Sequence, residues 1–492
     1  MAEAEALLRP WVIRHVRPDR DQRRRIYSGQ GVVDASQDGT RGLEVTGPAV
    51  LPFLLAARVQ ALVALDGGSA SPRARAYFAE GLASSFEAYR DTRLRQEARA
   101  AIDEDVEAAE AGDIPVEAKW YLDHLDDALP RDRDAAARHH PKIRATTDRA
   151  LELWKSGEKV VIFCFYIATG RALRAHISRA IQDELIREGA RKLELDPRRP
   201  SAVMKELDRL GDRFFDPDSP VTKAAGELVG DVFTGLDLTD DEREHGIEDV
   251  LRFLRTPTFL VRHVDVGAED QVAALDRAFR EEDASGRTLR GKIEAFARFL
   301  VDRVPEERAE LLAALRAIHT GSIRTSGDAL MEGEAGERRS IVPNVRLANG
   351  QVSRQARRRL MLAFNTPFFP EVLISSSVMA EGVDLHLECR HTIHHDLDWN
   401  PSVLEQRTGR LDRLGSKAEV TGQPIVVYEP FLEGTQDEKQ FRVVKDRERW
   451  FNVVMGEKLQ LDEASTDRLA ERVELPDALA KSLALRLEIR RR

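Results

Sequence analysis

Residues 371–415 read EVLISSSVMAEGVDLHLECRHTIHHDLDWNPSVLEQRTGRLDRLG, and the way this stretch alternates decides the fold. Two apolar runs, Val372–Ser375 and 391–394, have strand character, and each leads into a loop rich in Ser, Gly, Asp and Asn. The second loop feeds a predicted helix over 402–414, which carries Gln406, Arg410 and Arg413 at i, i+4 and i+7. At about 100° per residue these three share one face, with Leu404 and Leu411 on the other side. Asn400 before Pro401 supplies an N-cap and first-turn pair, and Gly415 is placed to end the helix. Open α/β sheets bind ligands in polar loops at the carboxyl ends of their strands. Two fixed guanidinium groups there suit an oligophosphate.

The run SSSVMAEGVDL, followed by DLDWNP and then QRTGRLDRLG, resembles motifs V and VI of superfamily 2 helicases. It is most similar to the Swi/Snf-type double-stranded-DNA translocases of the RapA-like branch, and the Gln-x3-Arg-x2-Arg-x-Gly spacing is kept in full. The resemblance implies an α/β fold, one RecA-like lobe with a parallel sheet, in the second half of a two-lobed motor.

Composition sets the outer limits. A chain of 492 residues has room for two or three domains. Hydrophobic residues at 42% indicate a globular protein, and 33% charged residues exceeds the usual quarter. The net charge of −10 carries no global signature of nucleic-acid binding, so any such contact must come from a local patch. The two cysteines, Cys164 and Cys389, lie in apolar strand-like contexts. They form neither a disulfide framework nor a zinc pattern, as expected of a reducing cytoplasm. The opening MAEAEALLRP lacks the basic and apolar regions of a signal peptide. The most apolar stretch, 49–65, is broken by Pro52, Arg58 and Gln60 and is too short for a bilayer of about 30 Å. A cytoplasmic protein without a membrane partner is expected.

Along the chain, residues 7–25 are rich in arginine and by composition read as a solvated surface segment. Swi/Snf-type motors carry a similar run just after the last strand of their first lobe. If LLRPWVIRH matches it, the sequence begins where that lobe ends. Residues 1–138 are then a mainly helical connector, with Phe78, Leu82, Phe86 and Tyr89 at helical spacing. In 139–188 an amphipathic helix ends at Gly157, KVVIFCFY forms a short buried strand, and a helix through Leu173, Ile177 and Ile181 follows. Residues 189–340 are charged, helical and repeatedly broken by proline, which reads as a helical insertion. Strand character resumes at IVPNVRL, followed by a helix over SRQARRRLMLAFN with Leu360, Ala363 and Phe364 inward. A last strand is predicted over 424–428, so 139–188 and 341–430 together make the five-stranded lobe. Residues 431–492 are an amphipathic helical tail through Phe441, Val444, Trp450, Phe451 and Val454.

Three look-alike motifs have plainer explanations. Gly286–Lys292 approximates a phosphate loop, but Ile293 replaces the hydroxyl residue that holds Mg²⁺, and a charged helix precedes it. Asp241–His245 spells DExH but lacks a buried strand before it, and Thr239 or Asp240 as N-cap accounts for the acidic run. His391, His394, His395 and Asp396 invite a metal reading. Adjacent His394 and His395 on a strand point to opposite faces, so a structural role is expected and no metal site.

The resemblance assigns roles residue by residue. Arg410 and Arg413 would neutralise charge on the transferred phosphoryl group, with Arg413 as the finger, and Gln406 would order the site. Gly382 would permit close approach of the motif V loop, and Asp384 would bond the ribose or steady an arginine. RapA-like members mostly carry Asn at that last place. Ser375, Ser376 and Ser377, with the motif IV loop near Tyr166 and Thr169, would hold phosphates of one DNA strand without reading sequence. Arg354, Arg357, Arg358 and Arg359 either add salt-sensitive attraction to DNA or form an exposed helix face. The cofactors implied are ATP and Mg²⁺, held mainly by a first lobe bearing the phosphate loop and DEAH box. The partners implied are that lobe and double-stranded DNA. The alternative is a non-catalytic nucleic-acid-binding or scaffolding protein derived from a helicase lobe.

Overall fold

Short runs of Val, Ile and Leu become strands here because helices cover them on both faces, and each is bounded by a loop or a helix cap. The computed structural model describes residues 24–28, 42–65, 80–93, 116–130, 140–283, 285–317, 343–350, 352–375 and 384–454. The strands are β1 (Arg24–Ser28), β2 (Lys159–Phe163), β3 (Val345–Ala348), β4 (Val372–Ser375), β5 (Cys389–His394) and β6 (Ile425–Glu429). The helices begin with α1 (Val50–Leu65), α2 (Val116–Ala128), α3 (Pro141–Lys155) and α4 (Ile167–Lys192). There follow α5 (Pro200–Phe214), α6 (Pro220–Phe233), α7 (Asp240–Leu254), α8 (Pro257–His263), α9 (Gln271–Arg280), α10 (Leu289–Val301) and α11 (Pro305–Arg316). The last four are α12 (Arg354–Phe364), α13 (Pro401–Thr408), α14 (Lys417–Thr421) and α15 (Gln436–Val454). No described helix is long and apolar enough to cross a membrane.

The chain divides into two compact units, and β5 passes from one to the other. The first comprises Met1–Ala145, Ile393–Gly409 and Pro424–Arg492; the second comprises Thr146–Thr392 and Arg410–Gln423.

In the second unit the strand order is β5-β2-β4-β3, with β2–β4 and β3–β4 parallel and Val372 opposite both Val160 and Val345. Every residue of these strands is buried, the continuous apolar pattern of a parallel sheet covered on both faces. The first turn of α4 lies against the sheet. A Cβ at Gly170 would come within 2.9 Å of Leu347 Cδ1 and 3.3 Å of Cys164 Sγ, so only glycine permits this approach. Helices α5 to α11 share one apolar core with the turn after α12. The Phe253 ring lies 5.4 Å from both Phe368, tilted, and Phe369, edge-on, and Phe296 lies 5.0 Å from Phe368.

Buried charges link the helices of this unit to its strands. The Glu371 carboxylate accepts from Trp154 Nε1 (2.6 Å), Arg262 (2.6 Å) and Asn344 Nδ2 (2.7 Å). Glu158 accepts from Lys417 Nζ (2.7 Å) and Arg390 (2.8 and 3.1 Å), with His391 Nε2 at 3.9 Å. Burial alone would push the Glu158 carboxyl up, but His391, Lys417 and Arg390 outweigh it and hold the group ionised. Arg287 bonds both oxygens of Glu388, at 2.9 and 3.1 Å.

In the first unit β1 pairs in parallel with β6, Arg24 opposite Ile425, and β6 is followed in the order by the end of β5. The strand β1 adds a sixth to the five expected. It begins at the end of a segment read from composition as solvated, and Arg24 is drawn in by an ion pair with Glu405 at 2.8 Å. Residues 7–23 lie outside the described residues, as do Phe78, Gln351 and the stretch 318–342. Helices at 80–84 and 86–93 bury Leu82, Phe86 and Tyr89 against Leu125 and Leu129. In the tail, Phe441 and Val444 pack with Leu397, Leu404 and Phe431 as expected, while the side chains of Trp450, Phe451 and Val454 lie outside the described set.

Two buried histidines of this unit make stability depend on pH. His140 donates from Nε2 to the Leu82 carbonyl (2.8 Å) beneath the rings of Phe53 and Phe86, and His395 does the same to Ser84 (3.0 Å). Burial lowers their pKa values to about 3 and about 4, against 6.5 when solvated. A group with a depressed folded pKa gives its full stabilisation above the unfolded value and loses it as pH falls towards the folded one. The melting temperature is therefore expected to drop progressively between pH 6.5 and 4. A His395→Gln variant, compared by thermal unfolding across that range, should show a shallower drop.

Candidate functional site

Residues 376–383 lie outside the described residues, and with them Ser376, Ser377 and Gly382. From Asp384 onward the second unit shows a four-residue strap whose backbone groups are engaged in turn. The Asp384 carbonyl accepts from Asn365 Nδ2 (2.6 Å), and Leu385 N donates to the Arg410 carbonyl (3.2 Å). The His386 carbonyl accepts from Lys417 N (2.8 Å), and Leu387 N donates to Asn365 Oδ1 (3.3 Å). At one end of the strap the Asp384 carboxylate is ion-paired with the Arg413 guanidinium. Asp384 is 52% exposed and Arg413 38%, so the pair is weak, at most about 1 kcal/mol, and an incoming anion can displace the carboxylate. His386 sits half-buried beside them. Burial lowers its pKa, Asp384 opposes this, and Arg413 and Arg303 add to it, so the ring is neutral near pH 7.

The helix expected over 402–414 is shorter than its pattern implied. Asn400 caps it, accepting from Ser402 N at 3.0 Å, and Pro401 begins it, but α13 ends at Thr408 with Gly409 as C-cap. Residues 410–415 form tight turns instead, with Arg413 N bonded to the Leu411 carbonyl (3.1 Å) and Ser416 N to that of Arg413 (3.2 Å). Within this turn the Arg410 carbonyl accepts from Leu385 N. Gln406, Arg410 and Arg413 are therefore not three positions on one helical face. Gln406 is exposed on α13 in the first unit, whereas Arg410 and Arg413 lie half-buried on the turn of the second. Gly415, at φ +72°, closes that turn rather than the helix, and Ser416 caps α14. Leu411 is fully buried and anchors the turn.

The motif IV residues occupy the junction of β2 and α4. The strand stops at Phe163, Tyr166 is the N-cap residue, and Thr169 is fully buried in the first turn. Ser375 ends β4, buried, and its carbonyl accepts from Cys164 N at 3.0 Å. On α12, Ser353 caps the N-terminus, Leu360, Ala363 and Phe364 point inward as expected, and Arg357 is half-buried. Arg354 is exposed, and Arg358, also exposed, pairs with Glu310 at 2.9 Å.

The look-alikes are resolved by geometry. Thr288 caps α10 by accepting from Gly291 N (3.0 Å), Lys292 pairs with Asp283 at 2.5 Å, and Ile293 is buried in the helical core. Thr239 and Glu242 form a reciprocal capping box at the start of α7, which accounts for the acidic run. Among the histidines, His391 faces Glu158, His394 bonds Thr408 Oγ1 (3.2 Å) and His395 bonds the Ser84 carbonyl.

The helicase conserved C-terminal domain family matches residues 328–415. An uncharacterized ATP-dependent helicase, YqhH of Bacillus subtilis, is 36% identical over 87 residues, 18% of this chain and 14% of that protein. A putative ATP-dependent helicase/translocase of the same organism, YwqA, is 28% identical over 127 residues, 26% and 13% respectively. The RNA polymerase-associated protein RapA of Vibrio vulnificus is 37% identical over 82 residues, 17% and 7%. The chain thus spans well under a fifth of the length of these curated relatives. A solved structure, the C-terminal part of the Fun30 ATPase domain, is 13% identical, with 64% of this chain and 96% of that one aligned; its TM-score of 0.19 carries no weight. The parallel sheet and these matches agree: the chain carries a helicase conserved C-terminal domain over residues 328–415 and is similar over short stretches to ATP-dependent helicases and to RapA.

Proposed function

We propose that this chain supplies the second motor lobe of an ATP-dependent DNA translocase or helicase. The lobe is built from 139–188 and 341–430, interrupted by the helical insertion 189–340, between a connector and a tail. One observation carries the reading: the end of the motif V segment and the motif VI turn form a single constellation. Arg413 is salt-bridged to Asp384, and the carbonyl of Arg410 is bonded to Leu385. A solvent-accessible guanidinium held by a displaceable carboxylate suits a γ-phosphoryl group presented from a facing surface. Mg²⁺ and the phosphate loop belong to that facing lobe, where the metal would offset phosphate charge. On this chain Arg410 and Arg413 neutralise developing charge, Asp384 keeps Arg413 oriented until nucleotide arrives, and Gly382 completes the approach. DNA backbone contacts fall to Ser376, Ser377, Tyr166 and Arg357; Thr169 and Ser375, both fully buried, shape the loops instead of touching DNA. The setting is cytoplasmic.

The test is reconstitution. The chain, mixed with a first-lobe fragment of a RapA-like relative and double-stranded DNA, is expected to show ATP hydrolysis that neither part shows alone. A mixture no more active than the sum of its parts would count against the reading.

A further inference from the structure

We infer that Asn365, the residue at the end of α12, is the positioning residue that holds the 384–387 strap and, through Asp384, sets Arg413; the inference rests on the ATP-site reading above. Asn365 is half-buried and makes three hydrogen bonds. Its Nδ2 donates to the Asp384 carbonyl at 2.6 Å and to the Met361 carbonyl, a turn back in its own helix, at 3.3 Å. Its Oδ1 accepts from Leu387 N at 3.3 Å. Gripping a carbonyl and an N–H three residues apart on one strand of chain takes a side chain with both a donor and an acceptor at a fixed separation, which a carboxamide provides.

The opposite edge of the strap is held by the arginine turn. Leu385 N donates to the Arg410 carbonyl, and the His386 carbonyl accepts from Lys417 N. Of the four backbone groups from the Asp384 carbonyl to Leu387 N, Asn365 holds the outer two and the 410–417 turn the inner two. Removing one edge frees a segment whose other edge is two hydrogen bonds long. Arg413 is not reached directly by Asn365. It is reached through the Asp384 carboxylate, whose backbone carbonyl Asn365 fixes. The residue thus joins the end of the arginine-bearing helix α12 to the turn that carries the candidate finger.

The test uses the full chain with Asn365→Ala and Asn365→Asp. The aspartate keeps the shape and can still accept from Leu387 N, but it cannot donate and repels the Asp384 carbonyl, so it isolates that contact should the alanine variant fold poorly. Hydrogen exchange is read at the Leu385 and Lys417 amides, which Asn365 does not touch. Both are expected to exchange about tenfold faster in either variant, at an unchanged melting temperature. In the reconstituted motor, kcat is expected to fall about 10²-fold with KM for ATP unchanged, as for a misplaced catalytic group. Wild-type exchange at Leu385 and Lys417 in both variants would overturn the inference. So would unchanged kcat in a mixture where Arg413→Ala is inactive. If the wild-type mixture hydrolyses no ATP, the reading of the site fails, and the exchange measurement still decides whether Asn365 positions the strap.

Discussion

Arg413→Ala is expected to lower DNA-stimulated ATP hydrolysis by the assembled motor about 10³–10⁵-fold, with Arg410→Ala close behind. Charge accumulates on the phosphoryl oxygens only as the transition state forms, so a guanidinium aimed there acts on kcat more than on KM. A factor of that size corresponds to about 4–7 kcal/mol of transition-state stabilisation. Folding should be spared by the Arg413 change, because its pairing with Asp384 is solvent-exposed and weak. Arg413→Lys should recover little, since an ammonium lacks the planar fork that spans two phosphoryl oxygens. Steady-state kinetics alongside thermal unfolding separates the two effects. Loss of activity together with loss of fold would place these arginines in the scaffold instead.

The largest effect on stability is expected at Glu158, at the opposite end of β2 from the motif IV residues. Its carboxylate is 3% exposed and meets Lys417, 2% exposed, and Arg390, 11% exposed. Glu158→Ala would strand two buried cations, and breaking such a pair typically costs roughly 3–5 kcal/mol. Glu158→Gln retains an acceptor and should cost less. Because the folded carboxyl is held below its ordinary value, its contribution is present above about pH 4.5 and is lost as pH falls below that. The alanine variant should therefore be less sensitive than wild type to acid in that window. Lys417 opens α14, immediately after the arginine turn. The same variant should accordingly loosen residues 410–417, visible as faster hydrogen exchange there.

Much of the lobe was legible because its signals are local. KVVIFCFY and VLIS are strands on apolar content, and Ser353, Asn400 and Thr239 announce the helices they cap. What was missed depends on distant partners. Helical periodicity continues through Arg413, but α13 stops at Thr408, and the turn that replaces its last stretch is tied to Leu385, far back in sequence. Arg24 reads as a solvated charge until β6 and Glu405 supply its neighbours. Asn365 looked like the plain end of an amphipathic helix, and nothing nearby in sequence shows that it grips residues 384 and 387. Motif order names the candidate site residues, while the contacts among Asp384, Arg410 and Arg413 come from the fold.

The central claim is that this chain provides arginines to an ATP site whose phosphate-binding half lies elsewhere. Steady-state ATP hydrolysis by the chain alone, with Mg²⁺ and saturating double-stranded DNA, tests it most directly. The account expects no hydrolysis above background, before or after Lys292→Ala. Robust hydrolysis by the chain alone, abolished by Lys292→Ala, would contradict it and make the Gly286–Lys292 turn a working phosphate site.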